Sequence, residues 1–172
     1  RIDVHHHIVP PAWLESLRRA KLDTPPVANW TVQQSLDDMD KGGITTSMTS
    51  PTLPAVGFLP AAEAARVARE SNEWTRKLVD SSKGRFRMFA LLPMPHVDET
   101  LREISYAVDV LKADGVAFMT SYQGRFLGDK AFAPVMDELH RRKLTAYTHP
   151  DNPACCSNIE RSEEHTSELQ SH

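Results

Sequence analysis

The sequence predicts an α/β fold in which helices cover a parallel sheet. Three observations point to it. Short β-rich runs begin near residues 2, 44, 86, 116 and 144. Longer stretches with helical periodicity separate them, and strand–helix alternation of this kind favours parallel pairing. Proline or glycine stands at most of the joins, as at Pro10-Pro11, Gly42-Gly43, Gly84 and Gly115. An open doubly wound sheet and an incomplete (β/α)8 barrel both fit, and periodicity leaves the choice open. No Gly-x-Gly-x-x-Gly and no phosphate loop follows any strand, so a dinucleotide fold is not supported.

The elements follow in order. Residues 2–8 alternate, with Ile2, Val4, His6 and Ile8 on one face and Asp3, His5 and His7 on the other. Pro11 suits the first turn of a helix through Ala20. Residues 22–30 contain Pro25 and Pro26 and read as a loop. Thr31 and Gln34 have the spacing of a capping box, and Gly42-Gly43 ends the helix it opens. Residues 44–49 form a β-branched second strand, followed by a loop over residues 52–60. Ala64, Val67, Ala68, Ser71, Trp74 and Leu78 make the apolar stripe of a helix over residues 61–81. Residues 86–92 are the third strand. Asp98 is the expected N-cap of a helix carrying Leu101, Ile104, Val108 and Leu111. The fourth strand covers residues 116–120, and a loop with two glycines spans residues 122–129. Phe132, Val135, Met136 and Leu139 mark the next helix. The fifth strand covers residues 144–148 and ends at His149-Pro150.

Composition narrows the class. The chain has 172 residues, 20 basic and 23 acidic, for a formal net charge of −3. The balance is that of an ordinary globular domain. A pI near 6.2 offers no basic patch for nucleic acid. No apolar run reaches the roughly 18 residues of a membrane span, so no membrane partner is expected. The two cysteines, Cys155 and Cys156, are adjacent and fit neither a disulfide framework nor a zinc motif. A reducing, cytoplasmic setting is the default expectation.

Residues 161–172 differ in character from the rest. They hold one apolar residue, show no periodicity, and resemble the translation of a short-read sequencing adapter. The expectation is one domain over residues 1–160, a fragment of a longer gene, followed by a disordered artefactual tail that takes His165 and His172 with it. Without that tail the net charge is −1.

The residues that carry chemistry cluster at strand ends. Asp3-x-His5-x-His7 sets a carboxylate and two imidazoles on one face of the first strand. Strand residues two apart point the same way, and imidazole nitrogens are common ligands of divalent metals. Burying such groups is costly unless each finds a partner, and a metal at the strand end offsets the cost. A tag remnant fits poorly, because the histidines sit inside an apolar alternation. A satisfied core histidine explains two on one face poorly. A solvent-exposed edge stays open. His149, at the end of the fifth strand, is by itself an ordinary structural histidine, and its value is as the third member of a set. His96 and His140 lie beside helix ends and read as capping or solvated residues. Trp13 and Tyr122 could line an aromatic pocket, although core packing is the simpler use of each.

These motifs, in this order, resemble the metal-dependent amidohydrolase superfamily. The likeness is carried by residues 2–11 (IDVHHHIVPP), 84–86 (GRF) with 90–93 (ALLP), 124–129 (GRFLGD) with 132–134 (FAP), and 149–150 (HP) with 153–156 (PACC). It runs over residues 1–160 and is nearest to the decarboxylase branch, the aminocarboxymuconate-semialdehyde decarboxylase relatives. Within that branch it looks most like 6-methylsalicylate decarboxylases. The resemblance implies a (β/α)8 barrel of which this chain holds about the first five β/α units. It implies one divalent metal ion, usually zinc, with His5, His7 and His149 as ligands. Asp3 would be a partner that orients a ligand. The family's further histidine after strand six and aspartate after strand eight have no counterpart here, so the fragment alone is expected to be inactive.

The implied reaction is decarboxylation of a small aromatic or unsaturated carboxylic acid. Hydrolysis of a lactone or amide through a metal-activated water is the alternative within the superfamily, and a non-catalytic fragment is the alternative outside it. Arg125, after the fourth strand, is the candidate cation for a substrate carboxylate. Cys155 and Cys156 would shape the mouth, with no base in view to make either a nucleophile. The intact parent is expected to be a homo-oligomer.

Overall fold

The computed structural model describes residues 1–151. The tail and the Cys155–Cys156 pair lie outside the described residues. Five strands, β1 (Ile2–His7), β2 (Thr46–Ser50), β3 (Phe86–Leu91), β4 (Gly115–Met119) and β7 (Ala146–His149), form one parallel sheet in the order β1-β2-β3-β4-β7. Consecutive sheet strands are neighbours, as in the successive units of a (β/α)8 barrel. A doubly wound sheet would instead reverse its strand order partway.

The sheet is also curled. β1 and β7 are its outer strands among the described residues, four inter-strand steps apart. At about 4.8 Å per step a flat sheet would separate them by roughly 19 Å. Instead a ring nitrogen of His7 in β1 lies 3.1 Å from one of His149 in β7. Only strong curvature brings the two edges that close, and it resolves the open choice in favour of the barrel.

Helices pack on the convex side. α1 (Pro11–Ala20) and α4 (Ala61–Ser81) contact each other, α4 lies on β3 and α5 (Val97–Asp109), and α6 (Ala133–Arg142) lies on α5. Their buried faces, with Trp13, Leu17, Ala64, Val67, Ala68, Ile104, Ala107, Val135 and Leu139, meet Phe86, Met88 and Phe118 of the sheet. Among the described residues, no helix is long and apolar enough to cross a membrane.

Several expected boundaries hold and several move. Pro11 opens α1, and the capping box of α3 (Val32–Lys41) forms, with Thr31 Oγ1 accepting from the Gln34 main chain. Gly43, at φ 61°, turns the chain out of that helix as only glycine does freely. Residues 22–30 are not all loop, since Pro25–Ala28 forms a short helix, α2, with proline at its start. The second strand begins at Thr46, because the Ile44 N–H is used by the Met39 carbonyl in closing α3. α5 starts at Val97 with His96 at its cap, so Asp98 sits in the first turn beside Glu99, where both favour the helix dipole. The α4 stripe drifts beyond Ser71: Asn72, Thr75 and Val79 are buried, and Trp74 and Leu78 are half-buried. Asn72 goes inside because its amide donates to the Leu91 carbonyl and accepts from the Leu91 N–H, pinning the end of β3. The loop after β4 contains a small antiparallel hairpin, β5 (Ser121–Tyr122) with β6 (Arg125–Phe126).

Candidate metal centre

His5 and His7 project two residues apart from the C-terminal half of β1, and His149 is the last residue of β7. Parallel strands place all three on one rim. Their ring centroids form a nearly equilateral triangle, 4.8 Å from His5 to His7, 5.0 Å from His5 to His149 and 4.9 Å from His7 to His149. One nitrogen from each lies within 4.8 Å of the others. His7 Nε2 is 3.0 Å from His5 Nε2 and 3.1 Å from His149 Nε2. His149 is buried, and the other two are half-buried.

The opposite ring nitrogens fix what faces the centre. His7 Nδ1 donates to the Ser50 carbonyl at 3.2 Å, and His149 Nδ1 donates to the Pro150 carbonyl at 2.7 Å. A carbonyl can only accept, so each Nδ1 bears the proton and each neutral ring turns its Nε2 lone pair inward. Two lone pairs 3.1 Å apart repel unless a cation lies between them. A proton is a poor candidate for that cation. Burial, then the neighbouring His149 and His5, push the His7 pKa down to about 3. A divalent metal fits. Two nitrogens each about 2.1 Å from a shared ion stand about 3.0 Å apart at a right angle and about 3.4 Å apart at the tetrahedral angle. The donor set, its tautomers and its size therefore suit a metal.

Neighbouring groups support the ligands. Ser50, the last residue of β2, accepts from both Ile8 N–H and the His7 ring. The His149 carbonyl accepts from Thr120 N–H at 2.9 Å. Asp151 then clamps the chain beyond His149: its carboxylate accepts from the Thr120 and Ser121 hydroxyls and from the Ser121 N–H, and its own N–H donates to Thr120 Oγ1. Tyr147 stands 5.5 Å from His5 and stacks on Phe89 at 5.7 Å and 5°. His5, Phe89 and Tyr147 come from the first, third and fifth sheet strands, the alternation that fills barrel interiors in layers.

The other expected residues fall elsewhere. Asp3 does not meet a ligand ring: its Oδ1 accepts the His5 main-chain N–H at 3.0 Å and its Oδ2 meets the His6 ring at 3.1 Å. Arg125 lies exposed on the β5–β6 hairpin. Trp13 and Tyr122 are core residues. The Trp13 indole donates to the Ala55 carbonyl, and the Tyr122 hydroxyl accepts from the Met119 N–H. His96 bonds the Leu59 carbonyl, and His140 is exposed in the last turn of α6. Sequence reasoning missed Ser35, His6 and Asp151. Only the run of three histidines hinted at the second of these, and nothing marked the others.

The amidohydrolase family model matches residues 2–166. Fungal relatives 36–39% identical carry decarboxylase names. One is a 6-methylsalicylic acid decarboxylase of Penicillium expansum, 36% identical over 89% of this chain and 49% of its own length. This chain spans about half the length of the curated relatives it matches. A solved structure described as an amidohydrolase II superposes with a TM-score of 0.82 at 29% identity, over 90% of this chain and 51% of that one. A dihydroxybenzoic acid decarboxylase from Polaromonas sp. JS666, described with bound manganese and the inhibitor 2-nitroresorcinol, superposes with a TM-score of 0.77 at 22% identity, over 98% of this chain and 54% of that one. With a matching family model over nearly its whole length, and a curled parallel sheet that carries three histidines on one rim, the chain belongs to the amidohydrolase family.

Proposed function

We propose that the protein is a metal-dependent carboxy-lyase that releases carbon dioxide from a small aromatic or unsaturated carboxylic acid, with 6-methylsalicylate the first substrate to try. His5, His7 and His149 are its metal ligands. The observation that carries this reading is the inward-facing Nε2 pair of His7 and His149, 3.1 Å apart with both opposite nitrogens donating to carbonyls. The decarboxylase names of the curated relatives supply the reaction class. A divalent ion held there supplies Lewis-acid capture of the substrate carboxylate and of a neighbouring oxygen. Ser50 and Pro150 keep the two ligand rings in the binding tautomer, and Asp3 holds the His5 main chain. Tyr147, beside His5, gives a planar substrate an aromatic wall. Arg125 is the proposed second contact for the carboxylate.

Zinc is the metal we propose, and manganese, described in the Polaromonas neighbour, is the ion from which elemental analysis of the purified protein separates it. Cytoplasmic residence and a homo-oligomeric whole protein belong to the same reading, checked by cell fractionation and by sedimentation. The decisive assay follows carbon dioxide from 6-methylsalicylate using the intact parent protein, because this chain spans about half the length of its decarboxylase relatives. Chelation abolishes release, metal restores it, and His5→Ala with His7→Ala abolishes it irreversibly. Metal-loaded protein that cleaves a lactone or amide and releases no carbon dioxide from aromatic acids would refute the lyase assignment.

A further inference from the structure

On the other side of β1 a continuous chain of hydrogen bonds leads away from the ligands. The Trp30 indole N–H donates to Ser35 Oγ at 3.0 Å. Ser35 Oγ is 2.8 Å from His6 Nε2, and His6 Nδ1 is 3.1 Å from Asp3 Oδ2. Asp3 Oδ1 accepts the His5 main-chain N–H at 3.0 Å. The ends set the polarity, because an indole N–H only donates and a carboxylate only accepts. With His6 neutral, Nδ1 carries its proton toward Asp3, and the one hydroxyl proton of Ser35 points at His6 Nε2. Every link then has one donor and one acceptor. Ser35 is 4% exposed, so a broken link would strand a buried polar group.

This chain spans an irregularity in the strand. The register between β1 and β2 shifts between Asp3 and His6. In an unbroken strand, residues three apart face opposite sides of the sheet, so the two could not touch. The shift brings the Asp3 carboxylate to the His6 ring, while its other oxygen takes up the His5 N–H. Within this shifted stretch and just beyond it stand His5 and His7. The far end is anchored in packed structure, with Trp30 against Trp74 of α4 at 6.4 Å.

We propose that His6, Ser35 and Trp30 are positioning residues of the metal centre: they hold Asp3, and through it the shifted backbone that aims His5 and His7 at His149. This rests on the metal reading above. Asp3, His6 and Ser35 have the order of a nucleophilic triad. Ser35 is buried within α3, however, and its oxygen already accepts the Trp30 N–H, so the array braces the strand and does not attack a substrate.

The test loads the full chain with Co2+, whose visible absorption reports ligand arrangement, and measures affinity by competition with a chelating dye. Wild type takes up one ion. Ser35→Ala and His6→Ala weaken binding by about 10- to 100-fold and shift the visible bands. Ser35→Thr, which keeps the hydroxyl, restores both, a rescue that lost packing volume would not produce. Should His6→Ala fail to fold, the Ser35→Ala and Ser35→Thr pair carries the test. Unchanged affinity and bands in Ser35→Ala overturn the positioning role, as does labelling of Ser35 by a fluorophosphonate. Absence of Co2+ uptake by wild type refutes the metal centre itself, a separate failure.

Discussion

Replacing His7 by Asn distinguishes a metal ligand from a structural histidine by how far its effect depends on metal. The asparagine amide can still donate to the Ser50 carbonyl, so the 3.2 Å contact has a replacement while the inward Nε2 is lost. In chelator the change removes one of the rings that crowd at 3.0 and 3.1 Å. Stability should then stay within about 1 kcal/mol of wild type, the worth of one ordinary hydrogen bond. With metal at about 100 times its dissociation constant, wild type gains about 2.7 kcal/mol by mass action. At about 2–4 °C per kcal/mol for a chain of this size, that raises the melting temperature by roughly 5–11 °C. His7→Asn should show almost none of that rise. Thermal unfolding followed by circular dichroism, with zinc and with chelator, reads both halves. A variant that melts as far below wild type in chelator as in metal would show that His7 contributes packing, and the reasoning from facing lone pairs would be wrong.

Three other regions give independent expectations. Glu103 is buried between α4 and α5, bonded by Arg69 Nε and Asn72 Nδ2, both at 2.8 Å, yet burial dominates and raises its pKa. A carboxyl with a raised folded pKa contributes stability below its ordinary value that is lost as pH rises through the raised one. Glu103→Gln should therefore gain on wild type in melting temperature as pH rises above about 4, and a gap moving in favour of wild type would contradict this. Gly115 opens β4 where an added Cβ would lie 2.5 Å from the Thr145 carbonyl oxygen and 2.9 Å from Phe89 Cδ1. Gly115→Ala should cost about 1–3 kcal/mol in urea denaturation, and an unchanged midpoint would mean the β4–β7 seam yields freely. Ile2 and Val4 are 69% and 57% exposed on β1, an outer strand among the described residues. Such an edge templates pairing with other chains, so the 172-residue chain should self-associate in sedimentation and Val4→Lys should reduce it; monodisperse wild type would count against an adhesive edge.

The sequence held the fold's order but not its curvature. The α1 proline, the Thr31–Gln34 capping box and the starts of β1 and β3 depend on interactions within a few residues and were readable, whereas β2 and β7 begin two residues later than expected. The α4 face beyond Ser71 was not readable. Asn72 is buried by bonds to Leu91 and Glu103, partners 19 and 31 residues away. The ligands His5 and His7 could be proposed from their spacing of two on a strand, whereas His149, an ordinary strand-end histidine by itself, gained weight only as the third member of a set and was assigned as a ligand through the family likeness. Asp3 shows the limit most directly. Strict alternation put it on the ligand face, and a register shift invisible in the sequence turned its carboxylate to His6 instead.

That curvature also determines which part of the molecule should respond to the ion. His7 and His149 are 142 residues apart in sequence and sit on opposite outer strands of the described sheet. An ion bound by both joins edges whose backbone pairing, among the described residues, runs only through β2, β3 and β4. Among the described strands β7 pairs with β4 alone, while β2 and β3 are held on both sides. Removing the ion should therefore loosen β7 first, because local opening starts where fewest bonds must break. Hydrogen exchange with and without metal tests this amide by amide. Faster exchange at the β7 amides on chelation, with β2 and β3 unchanged, is the expected pattern. A uniform acceleration across all five strands would mean that the ion stabilises the domain as a whole and that the edges meet without its help.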